Sequence, residues 1–225
     1  MSLTRPDQAS SIEYPERDGK PMAETDMHIQ LMINLRLALM EYFRDEADVY
    51  VGSNLLLYYV EGDSKKCVAP DVFVARGVGK GDRCIYKLWE EGRPPDIVFE
   101  LSSRQTWRED LQTKWRLYEQ LGVKEYFIFD PEYDYLDEAL IGYKLEGGQY
   151  QPVEIKEGRV LSETLGLELV DTGDTLRLFD TKTERFLPTP AEEAEARRQA
   201  EAELARLREE LERLRQTASP DDQPQ

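Results

Sequence analysis

The amino-acid sequence predicts an α/β fold in which a central mixed β-sheet is flanked by helices. Two observations carry this prediction. Short apolar runs rich in β-branched and aromatic residues, such as residues 97–99 and 123–129, are typical of buried strands. An amphipathic helical pattern lies between these two runs. A strand–helix–strand unit with short turns predicts that its two strands are parallel neighbours in one sheet.

The composition is that of a globular protein with one sizeable core. The chain has 225 residues, of which 40% are hydrophobic and 10% aromatic. No apolar run is long enough to cross a membrane, so we expect no membrane partner, and the N-terminus has no secretory signal pattern. The two cysteines, Cys67 and Cys84, have neither metal-ligand spacing nor disulfide density, which favours a reducing, cytoplasmic location.

The net charge bears on the expected partner. Its formal value is −17, which argues against nucleic-acid binding when it is averaged over the whole chain. The charge is unevenly distributed, however. Residues 71–130 contain 11 acidic and 10 basic side chains, whereas residues 131–190 contain 13 acidic and 6 basic ones. The first of these segments is close to neutral and remains compatible with a nucleic-acid partner.

Four segments are predicted along the chain. Prolines and an Asp-Gly pair interrupt any periodicity in residues 1–20, which predicts an irregular leader. A globular domain is expected over residues 21–189, and its first helix opens at about Glu24. The composition then changes to Ala, Glu, Arg and Leu. This change predicts a C-terminal helix over residues 190–216, followed by a disordered tail over residues 217–225.

Leucines on the predicted C-terminal helix follow a heptad spacing. They step by three, four and three residues, which gives a seam of about two heptads. A seam below three heptads is weak evidence for a coiled coil. We therefore expect weak self-association, with a dimer as the favoured homo-oligomer. The seam residues are Leu204, Leu207, Leu211 and Leu214.

Two acidic residues stand at the edges of predicted buried strands. Asp71 follows Pro70 and opens the apolar run 72–74, and Glu100 ends the run 97–99. Buried charges are costly unless they are paired or bind a metal, and two carboxylates on neighbouring strands repel each other. A divalent cation removes both problems, because Mg²⁺ prefers carboxylate oxygens together with water and phosphate. Each residue alone is also explained as an ordinary turn or strand-end charge.

The helix between the two strands carries further polar candidates. Thr106 and Glu109 fit a capping box at its start. Asp110, Lys114 and Tyr118 are spaced i, i+4 and i+8, so they lie along one flank of this helix. An exposed surface ion pair is the alternative interpretation of Asp110 and Lys114. Tyr118 is also a core candidate, with a hydroxyl able to reach the site.

Other candidates are single residues with a simple alternative explanation. Glu24 and His28 share one face of the first helix, and they are equally explained as a favourable N-terminal acid and a packing histidine. Ser102 can support a site only through a hydroxyl hydrogen bond, because no paired base is evident. Arg104 and Arg108 are candidates to position a phosphate.

These stretches resemble a known group of proteins. Asp71 after Pro70, followed by Glu100, Leu101 and Ser102, resembles the PD-(D/E)XK nuclease superfamily, with Ser102 where its lysine would stand. The longer resemblance is to the Uma family of restriction endonucleases and covers roughly residues 14–180. The matching positions are residues 24–28, 68–72, 100–103, 110, 114, 118, 122–126, 130–131 and 166–169.

The resemblance implies a restriction-endonuclease-like core and metal-dependent hydrolysis of phosphodiester bonds in nucleic acid, with DNA favoured. Asp71, Glu100 and the Leu101 carbonyl would hold Mg²⁺ or Mn²⁺. Lys114, migrated to the helix, would replace the missing strand lysine, with Asp110 and Glu24 as further catalytic candidates. The substrate-binding candidates are Arg104, Arg108, Ser102, Tyr118 and His28.

Two alternatives stay open at this point. The serine at position 102 and the acidic composition favour a degenerate nuclease fold that acts as a non-catalytic binding or assembly module through its C-terminal helix. Hydrolysis of another phosphoester is a third interpretation that the residues alone leave open.

Overall fold

The structure is a computed structural model and describes residues 12–17 and 25–217. The chain forms two compact units that divide between Leu187 and Pro188. Every described strand belongs to the first unit, and the second contains one long helix. The predicted opening residue of the first helix, Glu24, lies outside the described residues, as do parts of the predicted leader and tail.

The first unit is a mixed α/β structure, as predicted. Its elements follow one another with short connections, and one helix is interrupted by a π-helical turn. In chain order the elements of the molecule are α1 (Asp26–Tyr42), β1 (Val49–Gly52), β2 (Leu57–Tyr58), β3 (Cys67–Val68), β4 (Val72–Arg76), β5 (Tyr86–Lys87), α2 (Leu88–Glu91), β6 (Ile97–Leu101), α3 (Trp107–Glu109), the π turn (Asp110–Lys114), α4 (Trp115–Leu121), β7 (Glu125–Phe129), β8 (Leu140–Glu146), β9 (Gln149–Pro152), β10 (Arg159–Ser162), β11 (Leu167–Asp171), β12 (Leu176–Asp180), β13 (Arg185–Phe186) and α5 (Pro190–Thr217).

A six-stranded sheet with the order β1-β4-β6-β7-β8-β9 forms the centre of the first unit. Strands β6 and β7 are parallel, with Glu100 opposite Ile128. The other neighbouring pairs in this sheet are antiparallel. The predicted parallel pairing on either side of the crossover helix is therefore confirmed.

The two faces of β6 belong to different parts of the core. Ile97, Phe99 and Leu101 share an apolar cluster with the buried leucines of α1, and we call this side of the sheet the α1 face. Val98 shares a second cluster with Tyr118 of α4, and we call that side the crossover face. Residues alternate between faces along a strand. Glu100 therefore lies on the crossover face.

A second sheet of four strands has the order β10-β11-β12-β13. Its strands alternate between buried and partly exposed residues, as a half-buried strand does. Leu167, Leu169, Leu176 and Leu178 belong to the same apolar cluster as the α1 leucines. This sheet therefore helps to bury the helix that covers the α1 face.

Two stretches of the sequence predict the wrong elements. The apolar run at residues 55–60 predicts a strand, but the structure has only the two-residue β2 there. The polar, glycine-containing residues 76–95 predict a loop, but they contain β5 and α2. These short elements form a third sheet in which β2 lies between β3 and β5. Its strands are too short for an alternating pattern to appear in the sequence, which is why the sequence did not predict them.

The predicted capping box at Thr106 was also wrong. Thr106 has helical backbone angles, φ −108° and ψ −22°, and its side chain does not cap the helix. A capping side chain needs an extended N-cap residue to reach the next N–H groups. The Thr106 hydroxyl instead accepts a hydrogen bond from the Ser103 N–H at 3.1 Å. At the other end, Gly122 ends the helix in the left-handed conformation that glycine adopts readily.

Helix α1 begins after Thr25, whose hydroxyl accepts a hydrogen bond from the His28 N–H at 3.3 Å. Its buried residues are His28, Leu31, Leu35 and Leu39, which recur at three- and four-residue steps. The helix therefore presents one apolar stripe to the sheet, with His28 at its N-terminal end. Over residues 12–17 and 25–217, none of the helices has the length and apolar content needed to span a membrane.

Candidate active site

Asp71 and Glu100 meet at one edge of the central sheet because their strands are antiparallel neighbours. Val72 pairs with Phe99, so the preceding residue, Asp71, lies beside Glu100. The Asp71 side chain accepts a hydrogen bond from the Leu101 N–H, with 2.7 Å between Oδ2 and N. The two acidic residues predicted from the sequence are therefore brought together by strand register.

Glu100 is almost completely buried, at 1% exposure, and both of its oxygens are engaged. Oε2 lies 2.9 Å from the Lys114 Nζ, and Oε1 accepts a 2.6 Å hydrogen bond from the Tyr118 hydroxyl. Lys114 and Tyr118 both come from the crossover helix. The carboxylate is thus held from above the sheet by one cation and one hydroxyl.

Asp110, on the crossover helix, adds a third carboxylate to this cluster. The Ser102 hydroxyl donates to its Oδ2 at 2.9 Å. The Lys114 Nζ lies 2.9 Å from Oδ1, as an ion pair without the alignment of a hydrogen bond. Since the Lys114 side chain is only 13% exposed and also contacts Glu100, the alternative of an exposed surface pair is wrong.

The π turn at Asp110–Lys114 was not predicted from the sequence. Such a turn inserts an extra residue into an α-helix, and it occurs frequently at functional sites. The carbonyl of Asp110 accepts a 3.0 Å hydrogen bond from the Tyr126 hydroxyl, which rises from β7 on the crossover face. Tyr126 therefore supports the turn that places Asp110 and Lys114 beside Glu100, and the sequence analysis missed this role.

The electrostatics of the cluster are those of a site with excess negative charge. Burial raises the pKa of Glu100 well above its usual value, and the nearby charges of Asp71 and Asp110 add to this against the opposing effect of Lys114. Burial likewise raises the pKa of Asp110. Burial lowers the pKa of Lys114, but Glu100, Asp110 and Asp71 outweigh it, so the lysine pKa is raised and the ammonium form is favoured.

Asp71 has the opposite behaviour. Burial raises its pKa, but the His28 hydrogen bond, the Lys114 charge and the Leu101 N–H together outweigh this effect and hold it below the usual value. The His28 Nε2 lies 3.3 Å from the Asp71 Oδ1. Asp71 is therefore the carboxylate of the cluster that stays ionised most readily.

The predicted substrate-binding residues divide into two groups. Ser102 and Tyr118 are fully buried and His28 is 4% exposed. Each contacts one carboxylate of the cluster: Ser102 contacts Asp110, Tyr118 contacts Glu100, and His28 contacts Asp71. Their role toward a substrate stays a prediction. Arg104 and Arg108 are exposed near the start of α3, and the Arg108 guanidinium lies 4.3 Å from the centre of the Trp107 ring.

The donor types at this edge suit a hard divalent cation. Asp71 and Glu100 supply carboxylate oxygens, and the Leu101 N–H that contacts Asp71 places a further backbone carbonyl in the same stretch of β6. Over residues 12–17 and 25–217, no group of three or more His, Cys, Asp or Glu side chains is already arranged to hold a metal. Cation binding would therefore require Glu100 to exchange its contact with Lys114 or Tyr118.

The chain is similar to a solved structure and to a family of proteins. A crystal structure of a "putative nuclease belonging to DUF820" from Anabaena variabilis is similar to this chain, with a TM-score of 0.48 and 14% identity. The alignment covers 65% of this chain and 76% of that one. No curated protein matches the chain.

A family model matches most of the first unit. It is described as "Putative restriction endonuclease" and aligns with residues 3–176, which is more than half of the 225 residues. The aligned region contains Asp71, Glu100, Asp110 and Lys114. The chain belongs to the Uma2 family.

Proposed function

We propose that this protein is a divalent-metal-dependent endonuclease that hydrolyses phosphodiester bonds in nucleic acid, with DNA as the favoured substrate. The observation that carries the proposal is the convergence of Asp71, Glu100 and Asp110 on Lys114 at one sheet edge. The family description supports nuclease activity in general and hence a nucleic-acid substrate. Restriction-endonuclease-like families also generally use divalent metal ions, and Mg²⁺ and Mn²⁺ fit the oxygen donors.

Charge balance supports a cation at this edge. Three carboxylates face one lysine. Burial raises the pKa of Glu100 well above its usual value, and the charges of Asp71 and Asp110 add to this against the opposing effect of Lys114. Asp71, Glu100 and the Leu101 carbonyl would hold the ion. When bound, a divalent cation polarises a phosphoryl oxygen and increases the acidity of a water molecule.

Lys114 would stabilise negative charge on the reacting phosphate. Its ammonium is shared between Glu100 and Asp110, each at 2.9 Å. If Glu100 turns toward a cation, Asp110 still holds the ammonium beside the site. Ser102 fixes Asp110 in turn through its 2.9 Å hydrogen bond. A preorganised charge of this kind acts most strongly in a site that excludes water.

Substrate phosphates would be positioned by the exposed arginines near the start of α3. Arg104 and Arg108 lie between β6 and the π turn in the chain, so they flank the residues that form the carboxylate cluster. Arginine contacts to phosphate fix the orientation of a nucleic acid without reading its sequence. The near-neutral charge of residues 71–130 allows such an approach despite the net charge of −17.

A non-catalytic binding or assembly module is the second candidate. Both oxygens of Glu100 are bound by Lys114 and Tyr118 in the described structure. The cluster therefore keeps its contacts without a metal ion, as a protein that binds a partner without catalysis would require. The two candidates differ in their response to a metal ion. An endonuclease requires the ion for cleavage, whereas the module would bind its partner equally well in the presence of a chelator.

The deciding experiment is a cleavage assay on supercoiled plasmid, single-stranded DNA and single-stranded RNA with Mg²⁺, Mn²⁺ or a chelator. We expect metal-dependent nicking of DNA, and the matched variant Glu100→Gln should lose it. Cleavage of all three substrates by Glu100→Gln at the parent rate would indicate a contaminating nuclease. No cleavage by the parent protein with either metal, together with no effect of either metal on its melting temperature, would favour the non-catalytic module.

A further inference from the structure

The C-terminal helix α5 exposes a row of leucines along one side. Leu204, Leu207, Leu211 and Leu214 are 49%, 51%, 49% and 62% exposed, respectively. Large apolar side chains repeated at this spacing are seldom left in water, because burying each one is favourable. The helix has 28 residues, which at 1.5 Å per residue is about 42 Å. It is therefore long enough to pair with another helix.

The charges beside the leucine row identify the partner. If the leucines occupy the a and d positions of heptads, Glu203 and Glu210 fall at g, and Arg208 and Arg215 fall at e. In a parallel, in-register pair each g residue faces the e residue of the following heptad on the other helix. Every such contact along the leucine row then joins a glutamate to an arginine.

An antiparallel pair would bring like charges together. In that arrangement g residues face g residues and e residues face e residues. With the leucine rows fully overlapped, Glu203 would face Glu210, and Arg208 would face Arg215. Like-charge contacts of this kind reject the wrong orientation. The flanking charges therefore favour one orientation of two identical helices.

We propose that α5 binds α5 of a second copy of this chain as a parallel, in-register, two-stranded coiled coil. Ala200 adds a small apolar residue at the d position before Leu204, so the interface runs over residues 200–214. Arg197 and Glu193 occupy the next a and d positions and end it. Two ion pairs within the helix use outer positions and do not compete with the interface, Arg198–Glu195 and Arg213–Glu209. A third, Arg197–Glu201 at 3.6 Å, joins an a to an e position just before the leucine row.

This pairing has a consequence for the nuclease-like units, although it does not depend on their proposed activity. In a parallel coil both helices begin at the same end. The first unit ends at Leu187, and α5 begins at Pro190. Two copies of the first unit are therefore tethered at one end of the coil, and each assembly contains two carboxylate clusters.

The test is the molar mass of the full chain by sedimentation over a wide concentration range. We expect a monomer–dimer equilibrium. The double variant Glu203→Arg/Glu210→Arg places arginine against arginine across the interface, and its dissociation constant should rise roughly tenfold or more. The matched control Glu195→Arg/Glu209→Arg carries the same change in net charge on the outer face and should dimerise at least as well as the parent.

Exchanging the charges at the e and g positions of α5 gives a second test of the interface. Arg208→Glu/Arg215→Glu should also dissociate on its own, but mixing it with Glu203→Arg/Glu210→Arg should give a heterodimer. Combining all four substitutions in one chain should restore the homodimer. A parent protein that stays monomeric, a trimer or larger assembly, or a dimer insensitive to both charge-reversed variants would each overturn the proposal.

Orientation is tested separately by a disulfide. In a background of Cys67→Ser and Cys84→Ser, Ala200→Cys should form an interchain disulfide, because equivalent d positions are adjacent in a parallel coil. In an antiparallel coil Leu204 of one chain would lie opposite Leu214 of the other, so the two residues at position 200 would lie at opposite ends of the interface. A dimer that forms without the Ala200→Cys disulfide under oxidising conditions would therefore overturn the parallel arrangement.

Discussion

The two faces of strand β6 carry out different tasks with residues that alternate along one five-residue stretch. On the α1 face, Phe99 stacks against Phe127 with 5.9 Å between ring centres. On the crossover face, Glu100 is bound by Lys114 and Tyr118. Both faces are equally buried. Burial therefore does not distinguish the packing face from the chemical one; the donors that surround each residue do.

Tyrosines explain how the crossover face tolerates buried charge. The α1 face is packed with leucines, valines and phenylalanines, whereas the crossover face also contains Tyr118, Tyr126 and Tyr150. A tyrosine buries an apolar ring and still provides a hydroxyl donor. Tyr118 donates to the Glu100 carboxylate, and Tyr126 donates to the Asp110 carbonyl. Two buried oxygens of this face, one carboxylate and one carbonyl, thus receive hydrogen bonds from rings that also fill the core.

The largest effect on activity is expected for Glu100→Gln, which changes only the crossover face. We expect activity to fall by about 10³-fold or more, as loss of an essential site group does. The melting temperature without metal should rise, because a buried charge beside Asp71 and Asp110 is removed. Metal binding to the native state raises the melting temperature of the parent by mass action, and the variant should lose this response. An unchanged Mn²⁺ shift would remove Glu100 from the metal site.

A smaller loss of activity is expected for Lys114→Met. Removing one preorganised charge should lower the cleavage rate by about two orders of magnitude. The variant should also unfold more easily without metal, since Glu100 and Asp110 lose a buried cation. Lys124→Met is the matched control, because that lysine is 61% exposed and pairs with Asp96. Parent-like cleavage by Lys114→Met would contradict the proposed role.

Moving the lysine sharpens this prediction. Ser102 lies two residues after Glu100 and contacts Asp110, so it points to the same face. In the double variant Ser102→Lys/Lys114→Ser, the ammonium is returned to the strand. We expect part of the rate to be restored relative to Lys114→Ser alone, measured on the same plasmid substrate. No gain in rate would mean that cleavage requires an ammonium placed from the helix at position 114, and that an ammonium placed from the strand cannot replace it.

A substitution on the α1 face should lower stability and leave activity unchanged. Phe99→Leu is next to Glu100 in sequence but lies in the apolar cluster. We expect a loss of roughly 1 kcal/mol in the free energy of unfolding, measured by denaturant titration, because the smaller side chain loses contacts with Phe127. Cleavage at temperatures well below the transition should be unchanged. A large loss of activity without a loss of stability would show that the two faces are not independent.

The smallest effect is expected from removing α5. A truncation after Thr189 leaves both clusters of the first unit intact, because Leu187 is the last residue packed against them. We expect the shortened chain to keep a cooperative thermal transition and its intrinsic cleavage rate. Loss of the cooperative transition would place the helix inside the folding unit and move the predicted domain boundary.

The sequence was informative where a local pattern has a single structural outcome. The acidic residues at strand edges and the strand–helix–strand order predicted the parallel pairing and the meeting of Asp71 with Glu100. Two strand-like runs at residues 140–145 and 150–155, separated by Gly147 and Gly148, predict a hairpin. The structure confirms it as β8–β9, where both glycines adopt positive φ in a two-residue turn.

The rest depended on contacts between distant residues. Nothing near Asp110 in the sequence signals a π turn, because that turn is supported by the hydroxyl of Tyr126 from another strand. The burial of His28 and its contact with Asp71 join residues 43 positions apart. Thr106 matched a capping box in sequence, yet its backbone took a different conformation. Such features follow from tertiary packing, which a local pattern does not contain.

The π turn makes the geometry of the site sensitive to the insertion or deletion of a single residue. Each α-helical residue turns the chain by about 100°. Deleting one residue within Asp110–Lys114 would close the turn into an ordinary α-helix and swing the preceding segment around the axis. Trp115 and Tyr118 could keep their places while Asp110 faced elsewhere. In related chains, an insertion or deletion at this turn would therefore move Asp110 away from Glu100 while the packed part of the helix stays in place, even if every site residue is retained.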